Sequence, residues 1–556
     1  MPVHDKSMKA VGEFLLKHQK GIFFVLTLLA GIVILSGRCD YQAYVSQGDH
    51  GRDLYAFKRV LHGAVPYRDF SWLFGPLMVY YYGAFFKIMG PSIQAALAGQ
   101  NVLIVLTGCV LYLAGVRFLS PALSFLCALW YWLFRGEEFF YTYNHSGGLL
   151  CMVIMIYTLF RYIEDGKTRH ILWGLVVAFF FALIRFNMAC AALAGWGAAL
   201  ILTDIVRKNP FFRRNMRVLV YGSLVCGLAA FCVYWLYLRG LPLYVIWESF
   251  PVSKAQRTDT SLGLVGSLQY LGQLLFMIYS SGPVWKCLAV LLAACTVGTI
   301  AVLARKQDPA SPDRTKIILC LVALGILAVL TLHEYLLSGI FYRLYWALPV
   351  ALLIMFFLFG CATSGPRYKV GRVLLYIALF WIAFLVWRGE VRKLAMVKVP
   401  SQMLEHGRTR VYTLQNAVWF ATVQGACVFI EKNVPPGEKL FSIPFDTLYN
   451  FLTYRDQPTR QWTYFQHFLI PEEQERQTIA DLEREKVNWI LLSNRAISLE
   501  PGLGIFGREY CHILWKYIYE HYDVVANFGI WTSRASWAWD HGVVILRRKV
   551  PFPTVR

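Results

Sequence analysis

The sequence predicts an α-helical polytopic membrane protein, with about eleven spans and interfacial helices beside them, followed by a soluble α/β domain. Three observations predict it. Of the 556 residues, 57% are hydrophobic and only 16% charged, with a mean hydropathy of +0.48. Soluble domains average about 25% charged residues, so this chain has too little polar surface to cover itself. The apolar residues also come in blocks close to the roughly 20 residues a spanning helix needs, among them Gly21–Gly37, Val218–Leu238, Cys287–Leu303, Ile317–Leu332, Trp346–Cys361 and Val373–Trp387. After about residue 395 the blocks stop, and helical periods alternate with short β-rich runs.

Taken in order, the candidate spans are 21–37, 73–90, 99–117, 120–135, 148–163, 170–186, 188–206, 218–238, 284–304, 316–332, 343–361 and 370–387. Basic residues collect in short segments between them: Arg161/Lys167/Arg169, Arg207/Lys208/Arg213/Arg214/Arg217, Arg305/Lys306/Arg314/Lys316 and Arg367/Lys369/Arg372. That distribution explains the net charge of +21 as a positive-inside pattern and places the four segments in the cytoplasm. A nucleic-acid partner is not needed to account for it. The N-terminal segment, with Lys6, Lys9, Lys17 and Lys20, belongs on the same side. It is too polar for a cleaved signal peptide, so the first apolar block reads as a retained anchor.

Parity then removes one candidate. If the N-terminus and all four basic segments share a side, one of the first four intervals cannot cross. The interval 73–90 fits least, because it carries Pro76, Tyr80, Tyr81, Tyr82 and Lys87 just after Trp72, and aromatic clusters favour the membrane–water interface. Eleven spans remain, with the C-terminal region outside. The outer side then receives the first loop 38–98, the segment 136–147, the turn near Asn187, the loop 239–283 and the connection 333–342. Within 239–283, Leu262–Tyr279 is amphipathic and reads as an interfacial helix.

The chain divides at about residue 394 into a membrane domain, 1–394, and an extracytoplasmic domain, 395–556. In the second, the periodicity predicts helices near 415–433 and 471–485 and strands at Lys439–Ile443, Val487–Leu492, Tyr522–Phe528 and Val543–Arg547. Pro435-Pro436-Gly437 is a loop. No glycine-rich phosphate loop occurs, so an ATP-driven function has no support. Most of the 13 cysteines, such as Cys109, Cys127, Cys190, Cys226 and Cys295, sit inside apolar blocks and act as small apolar residues.

The chemistry concentrates in the first outer loop. It reads Gly48-Asp49-His50-Gly51-Arg52-Asp53, runs through an amphipathic segment to Gly63, continues Ala64-Val65-Pro66-Tyr67-Arg68-Asp69, and reaches Gly75-Pro76-Leu77. This resembles the first outer loop of the GT-C superfamily of lipid-carrier-dependent glycosyltransferases. That superfamily includes the protein O-mannosyltransferases, the aminoarabinose transferase of lipid A and the rhizobial lipopolysaccharide glycosyltransferases. Their pattern is an acidic pair, a helix, Gly-x-x-Pro-Tyr-Arg-Asp, and then a proline before an aromatic segment. Counting back from Gly63, the acidic pair falls on Asp49 and His50.

The resemblance implies an inverting hexosyl- or pentosyltransferase of the bacterial inner membrane, with its N-terminus cytoplasmic. It implies a polyprenyl-phosphate-linked sugar as donor and a glycolipid, polysaccharide or protein as acceptor. Asp49 would take the proton from the acceptor hydroxyl or amine, or orient it, since such a nucleophile needs a base within hydrogen-bond reach. The second acid is replaced by His50, which leaves Asp53 and Asp40 as competing bases. The plain alternative is that Asp49 only caps a helix starting near Gly51. The departing phosphate needs positive charge, for which Arg185, Arg343 and Arg68 are the candidates. Snorkelling to the interface is the alternative for Arg185 and Arg343. Asn144, His145 and Tyr345 are placed in the substrate cavity, beside the further candidates His333 and Glu334. A satisfied interfacial histidine is the alternative for His145. A divalent ion between Asp49 and Asn144 or His145 stays open as a cofactor, although one His and one Asp do not make a metal site. Pro458-Thr459-Arg460 is similar to a structural turn of that family.

Two other classes stay in view. A secondary transporter would show paired repeats and broken spans and has no need of a long outer tail. A membrane polysaccharide polymerase or ligase would carry its arginines in a large loop between late spans.

Overall fold

A computed structural model describes residues 3–36, 48–134, 143–249, 312–332, 341–362, 369–397, 403–412, 418–464, 470–494, 506–531 and 542–552. The helices of the first part are α1 (Val3–Ser36), α2 (Gly48–Leu61), α3 (Leu77–Met89), α4 (Ile93–Gly115), α5 (Pro121–Phe134), α6 (Tyr143–Asp165), α7 (Thr168–Ala182), α8 (Phe186–Val206), α9 (Phe212–Leu238), α10 (Leu243–Ser249), α11 (Pro312–Thr331), α12 (Leu348–Ala362) and α13 (Lys369–Val397). A 3₁₀ turn, Phe341–Ala347, leads into α12. Ten of the eleven expected spans coincide with these helices. The other, 284–304, lies outside the described residues, as do the expected interfacial segment 262–279 and the candidates Asp40, His333 and Glu334.

Among the described residues five helices are long and apolar enough to cross a membrane: Lys17–Leu35 within α1, then α4, α6, α8 and α9, with shorter apolar helices beside them. The exposed faces agree with a lipid solvent. On α9, Leu224, Val225, Leu228, Phe231 and Trp235 are all exposed, a stripe of apolar surface that water would penalise. The protein is an integral membrane protein. Helix α3, 13 residues long, is not among these helices. It packs along α2 and sends the Tyr81 hydroxyl to the Gly99 carbonyl on α4 at 2.8 Å.

Polar contacts sort the loops onto two ends of the bundle. At one end, Glu164 of α6 meets Lys316 at 2.9 Å and Arg117 at 3.2 Å, and Arg214 donates to Thr168 at 2.9 Å. A buried network of Tyr162, Asp204 and Asn215 ties α6, α8 and α9 together there. Tyr112 donates to the Lys20 carbonyl at 2.7 Å, which puts the start of the apolar Lys17–Leu35 stretch of α1 at that end too. Residues of three of the basic segments and the start of the first apolar stretch therefore share one end, as the charge pattern requires. The first loop, the start of α6 and the α7–α8 joint lie at the other.

Helix α13 runs on to Val397, past the expected boundary at residue 394. Beyond it come the hairpin β1 (Met403–His406) and β2 (Thr409–Tyr412), α14 (Val418–Asn433), β3 (Leu440–Ile443), α15 (Leu448–Thr453), α16 (Glu472–Arg484), β4 (Trp489–Ser493), α17 (His512–His521), β5 (Tyr522–Phe528) and β6 (Val543–Arg548). The four-stranded sheet has the order β3-β4-β6-β5; β3 and β4 are parallel and the other pairs antiparallel. Phe441, Ile490, Leu492, Leu514 and Ile518 pack between the sheet and its helices. The hairpin reaches the bundle at the end that carries the first loop, where the Ile93 amide meets Thr409 Oγ1 at 3.4 Å.

Candidate active site in the first loop

Helix α2 is polar by composition, yet Gly48 and every residue from His50 to Lys58 are buried. Burying charge costs free energy unless each group is paired, and Arg52 does the pairing. Its Nη1 lies 2.7 Å from Asp49 Oδ1, while Nη2 and Nε lie 2.8 and 3.0 Å from Asp53 Oδ1. Aromatic rings surround the guanidinium, with centroids at 5.1 Å for Phe74, 5.6 Å for Phe445 and 5.7 Å for Trp72, within the range of a cation–π contact. One arginine thus holds two carboxylates a helical turn apart. They differ in access: the Asp49 side chain is 22% exposed and that of Asp53 only 1%, so Asp49 is the one a substrate can reach.

Burial separates the titrations of this cluster. It raises the Asp53 carboxyl to about 7 against the opposing pull of Arg52, and lowers the His50 imidazole to about 4. His50 is therefore neutral at pH 7, and its ring stands edge-on to Tyr143 at 5.3 Å. Asp53 Oδ2, the Tyr143 hydroxyl and both amide atoms of Asn144 are buried with no hydrogen-bond partner among the described residues.

The second half of the site is built where the first loop meets the α7–α8 joint. The Gly75 amide donates to the Ile184 carbonyl at 3.0 Å and the Leu77 amide to the Leu183 carbonyl at 3.1 Å. A Cβ at position 75 would overlap the Leu183 carbonyl, which is why glycine stands there. The next residue past this joint is Arg185. Its Nη1 contacts His145 Nε2, and its guanidinium lies 5.6 Å from the Phe74 ring and 6.0 Å from Trp346. The His145 ring in turn lies 5.0 Å from Tyr345 and 5.4 Å from Trp346. Phe74 is shared: the guanidinium that holds Asp49 and the guanidinium beside His145 both pack on its ring.

The expected residues Asp49, His50, Asp53, His145, Arg185 and Tyr345 are thus gathered around Phe74, Tyr143 and Trp346, with Asn144 next to them in the chain. Arg68 is not. It is largely exposed, and it makes a bidentate pair with its neighbour Asp69 at 2.8 and 2.9 Å. Arg343 lies on the 3₁₀ turn two residues before Tyr345, and its side chain is outside the described residues. Asp49 sits in the first turn of α2, which begins at Gly48 and not near Gly51, and its carboxylate meets Arg52. No group of three or more metal-ligating side chains occurs among the described residues.

Arg52 was not among the expected site residues, although its spacing of three from Asp49 is an ion-pair spacing on a helix. Phe74 and Trp72 carry no motif signal, and Phe445 is far away in the chain. The turn Pro458-Thr459-Arg460 does have a structural part: the Ser71 amide donates to the Arg460 carbonyl at 2.9 Å, and Arg460 Nε donates to the Tyr67 carbonyl at 2.8 Å.

No family model matches the chain, and no curated protein matches its sequence. Solved structures do match in fold. The apo crystal structure of ArnT from Cupriavidus metallidurans superposes with a TM-score of 0.53 at 12% identity, covering 97% of this chain and 98% of that one. The structure of the same protein bound to undecaprenyl phosphate gives 0.52 at 12% identity, covering 94% and 97%. The Archaeoglobus fulgidus oligosaccharyltransferase, solved with zinc and sulfate, gives 0.49 at 11% identity over 85% and 68%. The chain shares the fold of ArnT, a fold that the first-loop resemblance implied.

Proposed function

We propose that this protein is an inverting glycosyltransferase that moves a hexosyl or pentosyl group from a polyprenyl-phosphate carrier to an acceptor on the non-cytoplasmic face of the membrane. One observation carries the proposal: a reachable carboxylate held by Arg52 and a separate Arg185–His145 pair are gathered around the Phe74 ring. A fold shared with ArnT, one structure of which holds undecaprenyl phosphate, leaves function to the site, and this site has the two groups the reaction needs.

In this reading Asp49 accepts the proton of the acceptor hydroxyl or amine as that atom attacks the anomeric carbon. The bond from the anomeric carbon to the carrier phosphate breaks, and its electrons leave on the phosphate oxygen. Arg185 receives the negative charge, with Arg343 as the second candidate on the facing 3₁₀ turn. A guanidinium fork fits phosphate oxygens in a way a point charge does not. Arg68, tied to Asp69 and turned to solvent, is poorly placed for the role. Asn144, with unsatisfied buried donors and acceptors, and Tyr345 supply polar groups for the sugar. The acceptor is a glycolipid, polysaccharide or protein, and the basic end of the bundle faces the cytoplasm.

The test is binding of undecaprenyl phosphate to the purified full chain. Loss of a charge-assisted contact costs about 1.5–3 kcal/mol, so Arg185→Ala is expected to bind about ten- to a hundred-fold more weakly, and Arg185→Lys less so. Equal binding by parent and Arg185→Ala would remove the phosphate role.

A further inference from the structure

The stripe of α2 that faces away from His50 and Tyr143 is occupied by a segment some four hundred residues later in the chain. Positions 48, 51, 52, 55, 58 and 59 fall on one face of a helix, and every one of them meets residues 445–462. A Cβ on Gly48 would overlap Phe445, and one on Gly51 would stand 2.7 Å from the Leu448 amide nitrogen. Glycine costs a helix stability, and here it admits another backbone to close approach. Arg52 packs on Phe445, and Lys58 Nζ lies 3.8 Å from the centre of the Tyr454 ring. Arg59 pairs with Asp456 at 3.3 Å.

The middle of the stripe is the most constrained. The Tyr55 hydroxyl donates to Asp456 Oδ1 at 3.2 Å and accepts from the Gln457 amide at 2.8 Å. Gln457 is itself locked to β3, since its Oε1 accepts from the Ser442 amide at 2.8 Å and its Nε2 donates to the Ser442 carbonyl at 3.1 Å. The Tyr55 ring packs on Trp462 at 4.7 Å, and Trp462 stacks on Phe70 of the first loop, also at 4.7 Å. The path from Ser442 in β3 through Gln457 and Tyr55 to α2 consists of buried groups.

We infer that residues 445–462 are a positioning element for the reaction: the C-terminal sheet fixes α2 along its axis and in rotation, and so fixes where Arg52 presents the Asp49 carboxylate. Tyr55 and Gln457 are positioning residues, in contact with neither substrate nor reacting atoms. This rests on the transferase reading above. A carboxylate displaced by about 1 Å loses up to roughly a hundred-fold in rate, so small slippage of α2 suffices.

The experiment uses the full chain in cells lacking the endogenous gene, with Tyr55→Phe, which removes the hydroxyl and keeps the ring on Trp462, and Gln457→Glu, which removes the donor to Ser442. Three quantities are read: the glycoconjugate product by mass spectrometry at limiting expression, undecaprenyl phosphate binding by the purified protein, and hydrogen exchange of the Gly48–Leu61 amides. Both variants are expected to bind the carrier like the parent, to exchange faster in α2 while α4 and α6 stay protected, and to lose about ten-fold in product. Parent-level product from either well-expressed variant overturns the inference. So does a loss of product matched by an equal loss of carrier binding and of protection throughout the bundle, which is what a merely structural contact would give. Asp49→Asn run in parallel separates the two ideas. If no glycoconjugate depends on the gene, the transferase reading fails; if Asp49→Asn keeps the product, Asp49 is not the base; if Asp49→Asn loses the product while Tyr55→Phe does not, only the positioning role fails.

Discussion

Asp49 and Asp53 share one guanidinium, and burial makes them different groups. Asp53 is held at about 7 by desolvation, above the 3.8 of an ordinary aspartate, so the fold favours its protonated form. Its contribution to stability is complete below about pH 4 and is lost as the pH rises through about 7. His50, lowered to about 4 by burial, works the other way, losing stability as the pH falls below about 6.5. Comparing Asp53→Asn with the parent isolates the first effect: the difference in melting temperature, variant minus parent, is expected to grow from pH 4 to pH 8. A difference independent of pH would mean that Asp53 titrates normally. At this scale the sequence was partly legible. The residues Asp49, His50, Asp53, His145 and Arg185 follow from the order of the first loop and from charges at span ends. Arg52 was overlooked because a basic residue within a polar helix reads as solvated until its burial is known. The separation of Arg68 from the cluster depends on which way a turn projects.

Gly75 and the α7–α8 joint show the same logic for elements. Two backbone hydrogen bonds tie the first loop to Leu183 and Ile184, and the joint delivers Arg185 to His145 and Phe74. Gly75→Ala drives a methyl group into the Leu183 carbonyl, and overpacking of that kind costs about 1–3 kcal/mol. The expected result is a lower melting temperature together with weaker binding of undecaprenyl phosphate; unchanged binding would show that Arg185 does not depend on the joint. Secondary structure was largely readable, because strands such as Tyr522–Phe528 and helices such as α16 carry clear periodicity. The hairpin β1–β2 was missed because its four-residue strands carry polar residues on both faces around Gly407-Arg408. Pairing order is a tertiary property: nothing local in Val543–Arg548 says that it lies between β4 and β5.

For the whole molecule, the bundle has one end rich in basic segments and one end where the first loop meets the C-terminal sheet. Reporter fusions test the orientation proposed for it: a fusion after Arg388 is expected to read as outside and one near Arg213 as inside, and a cytoplasmic signal from the first would put the candidate site on the wrong face for a lipid-linked donor delivered outside. Composition and charge carried this level most clearly, since hydrophobic blocks and basic loops are properties of the bare sequence. The docking of residues 445–462 on α2 was not legible, because no local pattern records a contact across four hundred residues. The central claim, that Asp49 is the base of a glycosyl transfer, is tested most directly by mass-spectrometric comparison of glycolipids and glycoproteins from cells without the gene, cells restored with the parent and cells restored with Asp49→Asn at equal membrane levels. Losing a general base costs about a hundred-fold or more. The account predicts a glycoconjugate, heavier by one hexose- or pentose-sized unit, that the parent restores and Asp49→Asn does not; an identical set of glycoconjugates in all three strains, or full restoration by Asp49→Asn, would contradict it.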